Sequence, residues 1–259
     1  MQLPVVLTIA GSDSGGGAGI QADLKAIGAL GGFGCTAITA VTAQNPQSVT
    51  GVWPIPPEGI SKQVEAVTSA FPVAAIKTGM VGNAAAIEAV ADCLKGIDVP
   101  IVVDPVMVAT SGARLLDEDA VEALTTRLLP LATVITPNLP EAAVLLGREV
   151  AESANDARML AERIGAAVLL KGGHGAGDEA VDVLATVEGD LLELRGEWVD
   201  APSTHGTGCT LAAALATCLA KGMDLPTAAE AAKGYVTEAL RNCVQLGNGQ
   251  AALGTVILP

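Results

Sequence analysis

The sequence reads Ser-Thr-His-Gly-Thr-Gly-Cys-Thr-Leu-Ala-Ala-Ala-Leu-Ala-Thr-Cys-Leu-Ala-Lys-Gly at residues 203–222. Because a lysine followed by a glycine is a helix-stop signal, the pattern predicts a helix that begins near Gly206. Free backbone N–H groups at such a terminus, with no side chains at Gly206 and Gly208, form a cradle for an anion such as a phosphate. The helix dipole is expected to lower the pKa of the Cys209 thiol. The stretch therefore predicts an anion site.

The composition limits the classes of protein that this chain can belong to. Half of its 259 residues are hydrophobic and only 2% are aromatic, which predicts a large aliphatic core. The formal net charge of −14 argues against nucleic-acid binding, so backbone amides and one or two local cations must bind any phosphate. The five cysteines show no zinc or disulfide spacing, which indicates reduced thiols. With no signal-peptide pattern and no bilayer-length apolar run, a cytoplasmic protein is expected.

Strand patterns alternate with helix patterns along the whole chain. This alternation predicts a single α/β domain over residues 1–259, with a mostly parallel sheet and helices on both faces. The predicted strands are 5–10, 33–44, an edge strand 49–55, 73–77, 101–103, 133–136, 167–170 and a hairpin of 181–186 with 191–197. The predicted helices begin near residues 20, 56, 83, 117, 138, 153, 206 and 226. Of these, the helix from Asp117 is predicted to stop at Pro130, and the last helix to end at Val244.

Several polar residues directly follow predicted strands. In an open α/β sheet, ligands bind outside the carboxyl ends of the strands, so these residues are expected to converge on one edge. They are Gln44, Lys77, Asp104, Asn138, Lys171 and the loop at Gly206.

Each of these residues has a structural interpretation beside the functional one. The glycine-rich loop 11–19 is either a tight turn between strand and helix or a ligand loop. Gln44 is either a turn residue or a donor–acceptor pair for a ring that carries an amino group. Asp104 either binds magnesium or a hydroxyl, or caps a turn. Asn138 and Glu141 have capping-box spacing, and Glu141 has a second interpretation as a contact to a magnesium–water cluster.

Seven motifs, in order along the chain, resemble those of the ribokinase-like kinases, and within them the hydroxymethylpyrimidine/phosphomethylpyrimidine kinases of thiamine biosynthesis. They are Ala-Gly-Ser-Asp-Ser-Gly-Gly-Gly-Ala-Gly-Ile-Gln-Ala-Asp (10–23), Val-Thr-Ala-Gln-Asn (41–45), Lys-Thr-Gly-Met (77–80), Asp-Pro-Val-Met (104–107), Thr-Pro-Asn-Leu-Pro-Glu-Ala (136–142), Lys-Gly-Gly-His (171–174) and His-Gly-Thr-Gly-Cys-Thr (205–210). The resemblance covers essentially the whole chain. It implies a three-layer α/β sandwich with the nucleotide near the last glycine loop and the substrate near the first.

The resemblance also implies roles for individual residues. Gln44 pairs with an aminopyrimidine edge, and the loop from Gly206 to Cys209 is the anion hole for the transferred phosphoryl group. Cys209 is the base that accepts the proton of the attacking hydroxyl. The other implied substrate-binding residues are Gly11, Asp23, Met80 and Val106. The implied nucleotide-binding residues are Asn138, Lys171 and Thr207, and the implied magnesium-side residues are Glu141 and Asp104, acting through water.

The implied activity is a magnesium- and ATP-dependent phosphorylation of 4-amino-5-hydroxymethyl-2-methylpyrimidine, followed by phosphorylation of the monophosphate. Two alternatives remain open at this point: a pyridoxal kinase, and a non-catalytic module that binds a vitamin precursor. The family suggests a homodimer. The chain departs from many relatives at Thr110, where they carry lysine. Neither histidine has a predicted catalytic role; His205 is expected to shape the anion loop and His174 to lie near the nucleotide.

Overall fold

The computed structural model describes residues 3–107, 116, 118–148, 154–172 and 179–256. Nine of the described strands form one sheet in the order β3-β2-β1-β4-β5-β6-β7-β8-β9. These strands are β1 (Val5–Asp13), β2 (Phe33–Asn45), β3 (Ser48–Pro54), β4 (Val73–Thr78), β5 (Ile101–Val103), β6 (Val134–Ile135), β7 (Ala167–Leu170), β8 (Glu179–Ala185) and β9 (Leu191–Glu197).

The six neighbouring strands β2-β1-β4-β5-β6-β7 are parallel to one another. At one edge of the sheet β3 pairs antiparallel with β2, and at the other edge β8 pairs antiparallel with β7 and β9 with β8. The described α-helices are α1 (Gly19–Ala29), α2 (Pro57–Ala70), α3 (Ala84–Leu94), α4 (Glu118–Ala123), α5 (Leu139–Leu146), α6 (Ala154–Ile164), α7 (Thr207–Ala220) and α8 (Leu225–Arg241). Because consecutive parallel strands need crossover connections, the helices cover both faces of the sheet. The predicted three-layer α/β sandwich is confirmed.

Two aliphatic cores lie on opposite faces of the sheet. One packs the sheet against α2 to α6, and the other packs it against α1, α7 and α8. Side chains of β1 alternate between them, with Leu7 in the first core and Val6 in the second. The ten residues Thr210–Leu219 of α7 are all buried, as the alanine-rich, uncharged sequence of this helix predicts. Among the residues that the structure describes, we find no helix with the length and hydropathy of a membrane span.

The structure differs from the predicted elements mainly at their ends. β1 continues beyond Ala10 to Asp13, so part of the glycine-rich loop is strand. The α-helix α4 ends at Ala123. A π turn follows it, and then a 3-10 turn that contains Pro130. The helix α8 ends at Arg241 instead of Val244.

A hairpin of β10 (Val244–Gly247) and β11 (Gln250–Ala252) follows α8 and is absent from the prediction. The Asn248-Gly249 pair at its turn, with Asn248 at φ 49°, is a typical hairpin signal. The predicted roles of Thr110, Asp117, Ser153 and His174 concern residues outside the described ranges. The extent of the single domain over residues 1–259 stays a prediction.

Candidate active site

A cluster of charged side chains lies at the carboxyl ends of β5, β6 and β7. Lys171 Nζ donates to Asp104 Oδ1 at 3.0 Å, and Thr136 Oγ1 donates to the same oxygen at 3.0 Å. A Cβ added to Gly208 would lie 3.3 Å from Lys171 Nζ and 3.6 Å from Asp104 Oδ2. The N-terminus of α7 therefore lies directly over this ion pair. The structure brings together Asp104, Lys171 and the loop 206–209, as the sequence predicts.

The charge of Lys171 is held by its carboxylate neighbours. Burial opposes the charged form, but Asp104 and Glu141 outweigh it and raise the pKa of Lys171. Its backbone is fixed as well, because its N–H donates to the carbonyl of Pro137 at 2.9 Å. An ammonium group thus lies under the Gly206 loop.

Asn138 and Glu141 form a capping box at the start of α5. Asn138 Oδ1 accepts from the Glu141 N–H at 2.8 Å, and Glu141 Oε2 accepts from the Asn138 N–H at 2.9 Å. The other carboxylate oxygen, Oε1, faces the N–H of Met107 at 3.5 Å. Burial raises the pKa of Glu141 to about 7. The structural interpretation of this pair is confirmed.

A magnesium ion has to be reconciled with these contacts. Among the described residues, no group of three or more His, Cys, Asp or Glu side chains is arranged to hold a metal. Both oxygens of Glu141 face backbone N–H groups, and Asp104 Oδ1 is already bound by two donors. This donor set fits a magnesium ion held through water molecules and phosphate oxygens, and does not fit a closed protein cage.

Asp13, at the end of β1, organises the first glycine loop. Its carboxylate accepts from the N–H groups of Gly15, Gly17 and Ala18 at 2.8, 3.0 and 2.8 Å. Burial acts to raise the pKa of Asp13, but His205 and these backbone donors lower it overall. Asp13 is not among the site residues predicted from the sequence. The available signal was an aspartate directly before a run of serine and glycine, which is typical of a side chain that caps its own turn.

The two glycine loops touch through their backbones. Gly206 is left-handed, with φ 87°, and a Cβ at this residue would overlap the carbonyl oxygen of Gly17. Only glycine meets both requirements, a positive φ and a close backbone approach. The predicted anion loop and the predicted substrate loop are therefore parts of one site.

Gln44 lies beside both loops at the end of β2. Its side-chain Nε2 is 3.5 Å from Nε2 of His205, and Ser14 Oγ bonds both its backbone N–H and its carbonyl. Nearby, the Gly11 N–H donates to the carbonyl of Met80 at 3.1 Å. Val106 lines a small cavity together with Gly79 and Asp104. Thr207, the first residue of α7, is half-buried and donates from Oγ1 to the carbonyl of Thr204.

The structure corrects the prediction for Asp23. Its carboxylate is fully buried, pairs with Lys77 Nζ at 2.8 and 2.9 Å, and accepts from Thr8 Oγ1 at 2.6 Å. Lys77, whose side chain extends from β4 to Asp23 in α1, is also fully buried. With no exposed surface, the Asp23 carboxylate does not line an open pocket.

The predicted low pKa of Cys209 is wrong. Burial raises the pKa of the thiol to about 11 and outweighs the opposing effects of the Lys77 ammonium and of the Gly19 N–H, which donates to Cys209 at the start of α1. The dipole of α7 alone would lower the pKa of the thiol. Desolvation of the thiol and the neighbouring carboxylates of Asp23 and Asp104 act in the opposite direction and favour the neutral form.

Comparison with known proteins shows the family of this chain. Residues 13–254 match the family model described as phosphomethylpyrimidine kinase. The chain belongs to the phosphomethylpyrimidine kinase family. It is 47% identical over 258 residues to the hydroxymethylpyrimidine/phosphomethylpyrimidine kinase of Synechococcus elongatus, with 98% of both chains covered. It is 50% identical over 250 residues to the protein of the same name from Streptomyces coelicolor, covering 95% of this chain and 92% of the relative.

A solved structure of a Bacillus subtilis pyridoxal kinase, in an ADP complex, superposes with a TM-score of 0.89 at 38% identity and covers 98% of each chain. The family and this neighbour confirm the ribokinase-like fold and make the chain an enzyme, a kinase that uses ATP and a small-molecule substrate.

The buried pair yields a stability prediction. We expect Lys77→Met to lower the free energy of unfolding by about 3–5 kcal/mol, because it leaves the Asp23 carboxylate buried without its partner. The double variant Asp23→Leu/Lys77→Met should recover most of this loss, since no unpaired charge remains. Urea denaturation measures both. Lys62→Met, which breaks an exposed pair with Glu65, is the control and should change little. A Lys77→Met protein as stable as the control would contradict the account.

Proposed function

We propose that this enzyme phosphorylates 4-amino-5-hydroxymethyl-2-methylpyrimidine to its monophosphate, and then the monophosphate to the diphosphate, for thiamine biosynthesis. The observation that carries the proposal is the position of Gln44. Its amide lies 3.5 Å from His205, the residue directly before the Gly206 loop. A donor–acceptor amide next to an anion cradle suits a substrate with an amino-substituted ring and a hydroxyl to be phosphorylated. The names of the two relatives agree with this substrate.

On the substrate side, the Gln44 amide pairs with the aminopyrimidine edge of the ring. We propose that Gly11 and Met80, which are joined by a backbone hydrogen bond, line the pocket with it, and Val106 borders the small cavity that Asp104 also lines. The absence of a side chain at Gly11 leaves its space to Met80, whose Cε would be 2.5 Å from a Cβ there. We propose that these three residues form the apolar part of the pocket.

On the phosphate side, the backbone N–H groups from Gly206 to Cys209 form the anion hole. Lys171 lies below Gly208 and supplies a positive charge. We propose that Asn138 and Thr207 contact the nucleotide. Asp104 and Glu141 would hold a magnesium ion through water molecules, and the ion would neutralise phosphate charge. Phosphoryl transfer depends chiefly on alignment and charge stabilisation, which these groups provide.

Cys209 is proposed as the base that accepts the proton of the attacking hydroxyl. It lies at the N-termini of both α7 and α1, since it is the third residue of the former and accepts a hydrogen bond from the Gly19 N–H of the latter. The Lys77 ammonium favours the thiolate. With a thiol pKa of about 11, the thiolate is a minor form at neutral pH, and its fraction limits the rate.

A second candidate activity is pyridoxal phosphorylation. The Bacillus subtilis neighbour that shares the fold is named a pyridoxal kinase, and pyridoxal also carries a hydroxymethyl group on an aromatic ring. The Gln44 amide favours the aminopyrimidine, because pyridoxal has no ring amino group to bind its oxygen.

We also propose that the enzyme acts in the cytoplasm as a homodimer. The five free cysteines support the cytoplasmic location. Trp53 on the edge strand β3, which is 60% exposed, supports the homodimer.

A coupled ATP-consumption assay tests the substrate assignment. With magnesium present, hydroxymethylpyrimidine and its monophosphate should both be turned over, and pyridoxal should be phosphorylated at least about tenfold less efficiently, since it lacks one hydrogen bond to Gln44. The Gln44→Ala variant should lose this preference. Turnover of pyridoxal alone would move the enzyme to vitamin B6 salvage.

The base assignment predicts a pH dependence. Because the active form is the thiolate and the pKa of Cys209 is about 11, kcat should rise about tenfold per pH unit between pH 7 and 9. Cys209→Ala should lower kcat by about 10²–10⁴ and remove this slope. Steady-state kinetics with saturating substrate measure both. A flat profile for the wild-type enzyme, or a Cys209→Ala variant with wild-type turnover, would contradict the assignment.

A further inference from the structure

The side chains of Asp13, His205 and Gln44 form a cluster that joins the two glycine loops. His205 Nε2 is 3.4 Å from Asp13 Oδ2 and 3.5 Å from Gln44 Nε2. The imidazole is 22% exposed, and its residue directly precedes Gly206. The ring thus contacts the organiser of the first loop, the proposed substrate-recognition amide and, through its own backbone, the anion loop.

One ring nitrogen cannot satisfy both neighbours in this arrangement. If His205 Nε2 carries a proton, it donates to the Asp13 carboxylate and then faces the NH₂ group of Gln44 with a second donor. If it carries none, it accepts from Gln44 but lies against the carboxylate. A hydrogen bond to a carboxylate is the stronger of the two. The form of His205 with a proton on Nε2 is therefore favoured. Its N–H influences which end of the Gln44 amide faces the ring.

The other end of the Gln44 amide is held only weakly. Thr42 Oγ1 lies 3.2 Å from Gln44 Oε1, but it also lies 2.9 Å from the carbonyl of Ser12. A hydroxyl has one proton, so the shorter contact to Ser12 takes most of it. His205 is thus the neighbour that decides which end of the amide faces which way.

We infer that His205 is a positioning residue for substrate specificity, which sets the order of donor and acceptor that Gln44 presents to the ring of the substrate. An aminopyrimidine edge requires one particular order, an acceptor for its amino group beside a donor for its ring nitrogen. A pyridine ring without the amino group does not depend on this order. The inference rests on the proposed pairing of Gln44 with the substrate.

Gly17 faces the ring of His205. A Cβ added to Gly17 would lie 2.7 Å from Cδ2 of His205, while its next side-chain neighbour, Asp13 Oδ2, is 3.8 Å away. Gly17 does not have a positive φ, so an alanine there meets no backbone strain of that kind. The imidazole lies against bare backbone, and Gly17→Ala displaces it without touching Gln44.

Steady-state kinetics of the full chain test the inference with hydroxymethylpyrimidine as substrate and pyridoxal as competing ligand. His205→Ala should raise the KM for hydroxymethylpyrimidine about tenfold, the loss of about one hydrogen bond, and change kcat less than about threefold. The inhibition constant of pyridoxal should stay within about twofold. His205→Gln should restore most of the wild-type KM, because its amide offers a donor to Asp13 and an acceptor to Gln44 at once.

A double-mutant cycle with Gly17 separates this role from a merely structural one. Gly17→Ala alone should raise the same KM, whereas in the His205→Ala background it should add nothing, since no ring remains to be displaced. Thermal melting of each variant verifies that it is folded. Multiplying effects in the double variant, an equal weakening of pyridoxal, or an unchanged KM in His205→Ala would overturn the inference. A wild-type enzyme that does not turn over hydroxymethylpyrimidine would overturn the proposed function, and this inference with it.

Discussion

The site depends on the contact between the carbonyl of Gly17 and the backbone of Gly206, which come from opposite ends of the chain. Any side chain at residue 206 would force these loops apart. Asp13 holds the first loop by three backbone hydrogen bonds, and burial of α7 holds the second. The proposed substrate loop and the proposed phosphate loop are therefore coupled by backbone packing, which would fix the distance between the two reacting groups.

The positive charges of the site contrast with the negative net charge of the protein. In a chain with a formal net charge of −14, an anionic ligand is attracted only locally. Lys171 under Gly208 and the buried Lys77 near Cys209 provide that local positive potential, together with the N-termini of α7 and α1. Each lysine is paired with one aspartate, so its position is fixed before any ligand binds.

The hydrophobic pattern predicts most of the fold, because strands buried on both faces and helices with caps leave strong local signals. The convergence of Asp104, Lys171 and the Gly206 loop also follows from the sequence, since all three follow parallel strands or begin a helix. The pKa of Cys209 and the burial of Asp23 do not follow, because desolvation depends on which distant segments pack around a group. The contact of His205 with Asp13 and Gln44 is equally non-local, and no motif spacing indicates it.

The comparison of Gly206→Ala with Gly222→Ala tests the loop contact most directly. The two glycines flank α7 with nearly equal φ angles of 87° and 83°, but a Cβ at Gly222 would meet no atom within 4 Å. Both variants should lose about 1–2 kcal/mol from the positive φ. Only Gly206→Ala should also lose kcat/KM for hydroxymethylpyrimidine, by about 100-fold or more, because misplaced reacting groups cost this much. A folded Gly206→Ala enzyme with kcat/KM within about threefold of Gly222→Ala would contradict the account.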